Sequence, residues 1–321
     1  MPINNKNILI TGISGFIGHS LADEIIKQDL PYNIYGIDIK DVPNNLKDKI
    51  HFEKVDIRDS RQCAEYFAKH SDLDGIIHLA AVSRVVIAEE NSNNCVETNG
   101  RGVLNVLQYI KNTPNCWFVY GSSREVYGEL LEEKRDFSEY DDCLPINIYG
   151  CYKLLGEEWV KQMCRKYMIL RFCNVYGNDY DLIGDDKYGK GGRVIPSFIL
   201  KAIHNKKIEI EGGEQIIDFT HITDTVWAII EVIKQLCDET LQNEILHISP
   251  GVGNKITEIV DILKKITGKE LDVDYKEKRH YDVQHFIGNP AKHKQLLGDR
   301  IFITLETGLK MTYELYLKKF S

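Results

Sequence analysis

The stretch that decides the fold is TGISGFIG, Thr11–Gly18, which follows a short apolar run and leads into the amphipathic segment Phe16–Gln28. A strand, a glycine turn and a helix in this order are typical of the first unit of a dinucleotide-binding sheet. In such a turn Gly12 takes the tight bend, Gly15 lets the backbone approach a pyrophosphate, and Gly18 permits close helix packing. The helix N-terminus then faces the anion. We therefore predict a dinucleotide site here rather than an ordinary glycine-containing turn.

Short β-rich runs alternate with longer amphipathic segments over about the first 170 residues. Several of the short runs are apolar throughout, as strands buried on both faces are. The pattern predicts an α/β fold with a doubly wound parallel sheet of Rossmann type and right-handed crossovers. The predicted strands are Asn7–Ile10, Asn33–Asp38, Ile50–Val55, Gly75–Leu79, Cys116–Tyr120 and Met168–Phe172. The predicted helices between them are Phe16–Gln28, Asp59–Lys69, Gly102–Ile110 and Tyr149–Lys166.

The alternation breaks after Arg171, where the glycine- and charge-rich stretch Gly177–Arg193 shows little periodicity. A loop of this length is usually functional. The shorter elements that follow predict a smaller mixed α/β substrate-binding lobe. We assign residues 1–173 to the dinucleotide-binding domain, with a returning segment at about 222–248. Residues 174–221 and 249–321 are assigned to the second lobe.

Composition excludes several classes of protein. Of the 321 residues, 43% are hydrophobic and 27% are charged, which argues against disordered, collagen-like and coiled-coil chains. The formal net charge of -8 argues against a nucleic-acid partner. The eight cysteines show neither CxxC pairs nor metal-ligand spacing, so we expect reduced thiols and no metal site. The start of the sequence, Met1–Asn7, is polar and lacks the apolar segment of a signal peptide, and no later stretch is as long as a membrane span, so we expect a cytoplasmic location without membrane contact.

A carboxylate closes the second predicted strand. Asp38 follows Gly18 by twenty residues, and a carboxylate there accepts hydrogen bonds from both ribose hydroxyls of NAD and repels the 2′-phosphate of NADP. NAD is therefore favoured, although Lys40 lies close by. Asp56 ends the third strand, where it either reaches the adenine amino group or serves as a helix-entry residue. We predict the adenosine end of NAD at these two strand ends, with Ile39 and Ile57 beside the carboxylates.

Four further motifs occur in a fixed order: HLAA at His78–Ala81, YGSSREVYG at Tyr120–Gly128, YGCYK at Tyr149–Lys153, and LRFCNVYG at Leu170–Gly177. With the GxxGxxG spacing of the first turn, they make the chain resemble the extended short-chain dehydrogenases/reductases, in the nucleotide-sugar epimerase/dehydratase branch. The resemblance covers nearly the whole chain. It implies tightly bound NAD, with cofactor contacts from Phe16, Ile17, Leu79, Ala80, Ala81 and Asn99.

The resemblance also implies a substrate, an assembly and a setting. The substrate is a nucleotide-diphosphate sugar, and the usual setting is the synthesis of surface-polysaccharide precursors. The assembly is a homodimer that pairs the helices near Gly102–Ile110 and Tyr149–Lys166 across a two-fold axis. The sequence supports this assembly only through the amphipathic faces of those helices.

Tyr149 and Lys153 lie four residues apart and therefore on one face of a helix. A free tyrosine has a pKa near about 10, and an adjacent ammonium group favours its phenolate. We predict that Tyr149 is the general base that takes the proton of a sugar hydroxyl while hydride leaves the same carbon for NAD. Lys153 also holds the nicotinamide ribose, and Ser123 hydrogen-bonds the hydroxyl oxygen. An isolated YxxxK pair would be read as two surface residues, but the preceding motifs reverse that interpretation.

The two residues after Ser123 discriminate among reactions. In 4,6-dehydratases the resemblance implies an Asp-Glu pair there, the Asp protonating the departing hydroxyl and the Glu abstracting the C5 proton. This chain has Arg124 and Glu125 instead, and arginine cannot supply the proton. The sequence therefore favours NAD-dependent oxidation of a sugar hydroxyl, most often at C4, by a 4-dehydrogenase or a 4-epimerase.

Other interpretations remain open at this point. Glu125 allows dehydratase, decarboxylase or other C5 chemistry, or else it orients the substrate or pairs with Arg124. An alternative of another class is a catalytically inactive NAD-binding sensor, because a fold does not establish a function.

The resemblance implies further substrate contacts. Asn174 and Arg279, the latter followed by Asp282, match positions that meet the diphosphate, although an asparagine after a strand is also a common turn former. Ile217 stands where many relatives place an arginine. We predict that basic residues of the glycine-rich loop compensate for it, namely Arg193, Lys187 or Lys190.

Beside the HLAA motif, we predict that Ser83 and Arg84 line the sugar pocket. His78 lies at the end of a predicted buried strand, and no partner at catalytic spacing accompanies His221. We therefore predict structural roles for both histidines.

Overall fold

A computed structural model describes residues 5–129, 136–178 and 193–320. The strands in these ranges are β1 (Lys6–Thr11), β2 (Tyr32–Asp38), β3 (His51–Lys54), β4 (Gly75–His78), β5 (Trp117–Ser123), β6 (Tyr167–Phe172), β7 (Asn174–Tyr176), β8 (Ile208–Glu211), β9 (Ile216–His221), β10 (Glu244–Ile248), β11 (Gly253–Lys255), β12 (Val273–Lys276) and β13 (His285–Phe286). The α-helices are α1 (Phe16–Lys27), α2 (Ser60–Lys69), α3 (Val85–Glu90), α4 (Ser92–Cys95), α5 (Val103–Asn112), α6 (Ile148–Met163), α7 (Val194–Ile203), α8 (Ile222–Cys237), α9 (Ile256–Thr267), α10 (Ala291–Leu297) and α11 (Leu305–Phe320).

The larger sheet is parallel and has the strand order β10-β6-β5-β4-β1-β2-β3. The chain enters at β1, proceeds outward through β2 and β3, and returns to β4 on the other side of β1. The predicted doubly wound α/β sheet is therefore confirmed. Because the direction of winding reverses between β1 and β4, a crevice opens at their carboxyl ends, where open sheets of this kind bind ligands.

Helices cover both faces of this sheet. Successive side chains of a strand point to opposite faces, so Ile8 and Ile10 join the apolar cluster that includes residues of α1 and α8. Leu9, between them, joins the cluster that includes residues of α2, α5 and α6. The apolar strands of the sequence are thus buried on both faces.

A smaller mixed lobe surrounds β9. Strand β9 pairs antiparallel with β11 and parallel with β7 and β13, and β8 pairs with β12. Its apolar core includes residues of α7, α9 and α11. Strand β10 pairs with β6 in the larger sheet although it follows β9 in the sequence. Our proposed domain division remains residues 1–173 with 222–248, against 174–221 with 249–321.

Two further observations concern the cysteines and the helices. All eight cysteines lie within the described ranges, and each is a free thiol. Among the described helices, none combines the length and the apolar character that crossing a membrane requires.

Candidate active site

A cavity of about 620 Å³ lies at the carboxyl ends of the parallel strands. Its wall brings together residues from the turn after β1, the ends of β2, β4 and β5, helix α6, and the smaller lobe. Every predicted substrate-site residue lines it: Ser83, Arg84, Ser123, Arg124, Asn174, Arg193 and Arg279. The predicted cofactor-site residues line it as well, with the exception of Asn99. Lys187 and Lys190 lie outside the described residues.

The glycine turn after β1 has the geometry of a backbone cradle. Gly12 has a φ of +71°, and a Cβ there would lie 2.7 Å from the backbone nitrogen of Ala80. A Cβ on Gly18 would lie 2.4 Å from the carbonyl oxygen of Gly12. Gly15 precedes the first turn of α1 and has no side chain with which to cap it. The first N–H groups of α1 therefore remain available to an anion, so the turn fits the pyrophosphate of a dinucleotide.

Asp38 is fixed beside this turn by two backbone groups. Its Oδ2 accepts a hydrogen bond from the Ser14 N–H at 3.1 Å, and its Oδ1 accepts one from the Lys40 N–H at 3.0 Å. The carboxylate thus lies at the end of β2, where the fold places the ribose hydroxyls of a dinucleotide. Lys40 contributes its backbone to holding Asp38 and also lines the cavity.

Asp56 lines the cavity and does not cap α2. The helix is capped by Asp59, which accepts from the N–H groups of Arg61 and Gln62. The Arg58 guanidinium binds Asp56 at 2.6 to 3.0 Å and holds the pKa of that carboxyl below its usual value. Of the two interpretations offered for Asp56, the helix-entry role is wrong.

Asn99 is not among the described residues that line the cavity, so its predicted contact with the cofactor stays a prediction. Asn99 lies in a π-helical segment, Val96–Gly102, and is 1% exposed. Its Oδ1 accepts from the Val82 N–H at 2.8 Å, and its Nδ2 donates to the Val82 carbonyl at 2.9 Å. Both ends of the amide are therefore occupied. Asn99 thereby holds Val82, which lines the cavity.

Ser123, Tyr149 and Lys153 meet at one end of the cavity, and all three are buried. The Lys153 Nζ donates to the Gly121 carbonyl at 2.6 Å and lies 5.8 Å from the centroid of the Tyr149 ring. Burial raises the pKa of Tyr149, and a hydrogen bond with the Ser123 side chain lowers that pKa in part. Burial lowers the pKa of Lys153 to about 8.

Arg124 and Glu125 form a buried ion pair. The Arg124 Nη2 lies 2.9 Å from the Glu125 Oε1, and both side chains are 8% exposed. The Glu125 Oε2 accepts from the Asn147 Nδ2 at 2.7 Å. The Arg124 Nε donates to the Asn174 Oδ1 at 3.2 Å. The structure therefore shows the pairing that the sequence left as one alternative for these two residues.

Asn147 is a member of the site that sequence reasoning missed. It precedes α6, and its Oδ1 accepts from the Gly150 N–H at 2.8 Å as an N-cap. A Cβ on Gly150 would lie 2.3 Å from the carbonyl oxygen of Glu125, so α6 packs closely on the Arg124–Glu125 turn. An asparagine just before a helix is a recognisable cap signal. Its contact with Glu125 is not visible in the sequence.

The cationic residues of the smaller lobe are already oriented by neighbours. Arg279 pairs with Glu211 and Asp282, each at 2.8 Å. The Arg193 guanidinium lies 4.7 Å from the centroid of the Phe16 ring. Ile217 is buried in the apolar core of the smaller lobe and is not among the residues that line the cavity.

The two histidines are held in place by local contacts. The His78 Nδ1 lies 3.0 Å from the Thr11 Oγ1, and burial lowers the pKa of His78 to about 3. His221 precedes α8 and accepts from the Thr223 N–H, and burial lowers the pKa of His221 to about 4. Both rings are therefore neutral at pH 7.

A buried polar network packs against β5, the strand that ends at Ser123. The Arg171 guanidinium donates to both oxygens of Glu157, at 2.9 and 2.7 Å, and the Ser122 hydroxyl donates to Glu157 at 2.5 Å. Arg171 also donates to the Tyr127 hydroxyl. The arginine and glutamate side chains are 3% and 0% exposed. Sequence reasoning missed this pair, although a charged residue inside the apolar strand β6 is its visible sign.

Residues 8–248 match the NAD dependent epimerase/dehydratase family. The chain belongs to this family. The resemblance to the extended short-chain dehydrogenases/reductases is confirmed, and with it the prediction of an NAD-dependent enzyme of the nucleotide-sugar branch.

Relatives of this member of the epimerase/dehydratase family include proteins named as epimerases and proteins named as dehydratases. The chain is 28% identical to a dTDP-glucose 4,6-dehydratase of Haemophilus influenzae, over 97% of this chain and 98% of the relative. It is 24% identical to a UDP-glucose 4-epimerase of Rhizobium meliloti, over 92% of each chain. A crystal structure of a UDP-glucose 4-epimerase from Thermotoga maritima with UDP-glucose has a TM-score of 0.87 and 29% identity, and the match covers 98% of this chain and 100% of that one.

Removing the buried ammonium from this epimerase/dehydratase should change its stability in a pH-dependent way. In the cofactor-free protein, burial sets the Lys153 pKa at about 8, against 10.5 for a free lysine. The unfolded chain therefore binds more protons between these two pH values, and the wild-type free energy of unfolding rises with pH across that window. Below pH 8 the lysine costs the folded state about 3 kcal/mol, and this cost disappears as the pH approaches 10.5.

Urea unfolding of cofactor-free Lys153→Met and wild-type protein at pH 7 and pH 9.5 measures this difference. We expect the advantage of the variant over the wild type to be larger at pH 7 than at pH 9.5. Other titrating groups are common to both proteins and cancel in the comparison. An advantage of equal size at the two pH values would contradict the assigned pKa of Lys153.

Proposed function

We propose that the protein is a nucleotide-sugar 4-epimerase, which oxidises the C4 hydroxyl of a UDP-linked sugar and reduces the resulting 4-keto sugar on its other face. The observation that supports this most is the composition of the catalytic end of the cavity. Ser123, Tyr149 and Lys153 lie together there, whereas the position after Ser123 holds an arginine that cannot act as a general acid. The relatives named as UDP-glucose 4-epimerases support the same assignment.

The residues of the cavity divide the work as follows. NAD held in this cavity would supply the hydride acceptor for the oxidation at C4 and the hydride donor for the reduction. The glycine turn at Gly12 and the Asp38 carboxylate would hold the two ends of its adenosine diphosphate portion. Tyr149 takes the proton of the C4 hydroxyl and later gives it back. The positive charge of Lys153, 5.8 Å from the Tyr149 ring centroid, would oppose the effect of burial, which raises the pKa of Tyr149. The Ser123 hydroxyl would hold the sugar oxygen in line with Tyr149.

C5 chemistry through Glu125 is the weaker candidate. A base at C5 needs a carboxylate oxygen free to accept the carbon-bound proton. Here Oε1 faces the Arg124 guanidinium and Oε2 accepts from Asn147. Glu125 therefore serves to fix the arginine and α6 rather than to react.

Binding of the diphosphate falls to the smaller lobe in this proposal. Arg279, Arg193 and Asn174 line the cavity, and Ser83 and Arg84, which line it as well, would contact the sugar. We propose that the enzyme acts in the cytoplasm, in the synthesis of surface-polysaccharide precursors.

We also propose a homodimer through α5 and α6. On the outer side of α6, Leu155 is 39% exposed and Cys151 is exposed. An apolar side chain and a thiol facing outward from one helix suit burial against a second copy of the chain.

The proposed function is tested by incubating the purified protein with UDP-glucose, UDP-galactose, UDP-glucuronic acid and UDP-N-acetylglucosamine and analysing the products by NMR. We expect the C4 epimer of at least one of these sugars, without accumulation of NADH. A 4-keto product formed with stoichiometric NADH would indicate a 4-dehydrogenase instead. Loss of water or carbon dioxide, or no conversion of any sugar, would contradict the proposal.

A further inference from the structure

The first turn of α6, the helix that contains Tyr149 and Lys153, is held by a carboxylate from another helix. The Ile148 N–H at the start of α6 donates to the Glu89 Oε1 at 2.8 Å. Glu89 belongs to α3 and lies 59 residues earlier in the chain. It is partly buried and is not among the described residues that line the cavity. Its contact with α6 is therefore separate from the substrate and cofactor contacts described above.

The start of α6 needs such a partner because the helix has no acidic residue in its own first turn. The first N–H groups of a helix have no acceptor within the helix, and its N-terminus favours negative charge. Asn147 accepts from the Gly150 N–H at 2.8 Å, and Glu89 accepts from the N–H of Ile148, immediately before Tyr149. Ile148 is partly buried, so loss of this acceptor costs free energy and loosens the helix beside Tyr149.

The ring of Tyr149 packs with the same helix that supplies Glu89. Ala88, the residue before Glu89, is 0% exposed and belongs with Tyr149 to one buried apolar cluster. Val85, one turn earlier in α3, packs against this cluster. Helix α3 therefore restricts the ring of Tyr149 through apolar contacts and the backbone beside it through a hydrogen bond.

The turn after Ser123 holds α6 from a second direction. A Cβ on Gly150 would lie 2.3 Å from the carbonyl oxygen of Glu125, so the helix and the turn are in close contact. Glu89 supplies a separate constraint from α3. Together the two contacts fix where the Tyr149 hydroxyl lies relative to the Ser123 side chain, with which it hydrogen-bonds.

We propose that Glu89 is a positioning residue, which holds the Tyr149 hydroxyl in line with the C4 hydroxyl of the sugar by accepting the Ile148 N–H. The proposal rests on the proposed function, because it takes Tyr149 as the general base. Glu89 touches neither the sugar nor the cofactor in this account. It acts only through the first turn of α6.

The experiment measures kcat and KM for C4 epimerisation, per molecule of bound NAD, with the best substrate among the UDP-sugars named above. It compares the wild type with Glu89→Gln, Glu89→Asp and Glu89→Ala. Glutamine keeps a carbonyl oxygen that can accept from Ile148, so Glu89→Gln should stay within about 3-fold of the wild-type kcat. Aspartate is one methylene shorter and withdraws the acceptor, and alanine removes it.

Glu89→Asp and Glu89→Ala should each lower kcat by about 30-fold, as a displacement of about 1 Å at a reacting group can. KM should change by less than about 3-fold, because the lost alignment matters in the transition state rather than in substrate binding. The content of bound NAD should equal that of the wild type, since Glu89 does not line the cavity.

Glu90→Ala is the matched control, because Glu90 is the next residue of α3 and is exposed. It should turn over as the wild type does. A Glu89→Ala variant that loses stability but keeps the wild-type kcat would overturn the inference and leave the proposed function standing. So would an active Glu89→Asp beside an impaired Glu89→Gln, because the charge and not the hydrogen bond would then matter. Conversion of none of the UDP-sugars by the wild type would overturn both.

Discussion

Replacing Tyr149 with phenylalanine should lower kcat for C4 epimerisation by about 1,000-fold, within the range typical of a lost general acid-base group. Phenylalanine keeps the ring but removes the hydroxyl that hydrogen-bonds Ser123. This is the hydroxyl that we propose exchanges the proton of the C4 hydroxyl. The variant should retain bound NAD, because the glycine turn and Asp38 are untouched. Steady-state kinetics together with the absorbance spectrum of the purified protein measure both properties.

Tyr152→Phe provides the matched control on the same helix. Tyr152 lies one turn beyond Tyr149 in α6 and is not among the described residues that line the cavity. Its variant should turn over within about 3-fold of the wild type, as substitutions away from a site usually do. Wild-type activity in Tyr149→Phe would rule out the assigned base. A protein with no activity to lose would instead behave as the NAD-binding sensor.

Replacing Glu157 with leucine should lower the free energy of unfolding by about 3–5 kcal/mol. The substitution leaves the Arg171 guanidinium, which is 3% exposed, without its carboxylate partner. It also removes the acceptor of the Ser122 hydroxyl, immediately before Ser123. Urea unfolding of the cofactor-free variant and wild type measures the difference.

The neighbouring Glu158→Gln is the control for this prediction. Glu158 is 54% exposed and pairs with Lys161 at the surface, where an ion pair contributes less than about 1 kcal/mol. Combining Glu157→Leu with Arg171→Met should recover most of the lost stability, because no unpaired charge then remains in the core. If Glu157→Leu costs no more than Glu158→Gln, the buried pair does not hold this region together.

Much of the larger sheet was predictable because short stretches of sequence identify its central strands and the helix after β1. The run through Thr11–Gly18 into α1 contains the strand, the turn and the helix within a short span, and the central strands β1, β4, β5 and β6 each contain an apolar run of their own. Asp38 follows at the spacing that the turn itself predicts. The positions of Tyr149 and Lys153 on one helix face required only the helical repeat.

Other parts of the structure depend on contacts between distant segments. Strand β13 has two residues and β7 has three, and each exists because β9 pairs with it. No pattern in so short a segment distinguishes a strand from a loop. For the same reason the sequence shows Asn99 as a candidate ligand and does not show that Val82 occupies its amide.

The end of the cavity near Ser123 and Tyr149 depends both on local sequence motifs and on contacts between distant segments. The motif around Ser123 identified Arg124 and Glu125 as the residues that distinguish among reactions. Which interpretation holds depends on Asn147, which comes from the N-terminus of α6, and on Asn174, which comes from β7. Asn147 holds Glu125 and Asn174 holds Arg124, so the two charged side chains are fixed as an ion pair.

The central claim is reversible oxidation at C4 without removal of the C5 proton. Turnover in heavy water tests it most directly, with UDP-glucuronic acid and UDP-glucose as substrates and with mass spectrometry and NMR of the products. We predict a product inverted at C4 that carries no carbon-bound deuterium, because the hydride returns to the carbon it left. Deuterium at C5 would show that the C5 proton is removed during turnover, and would contradict the account.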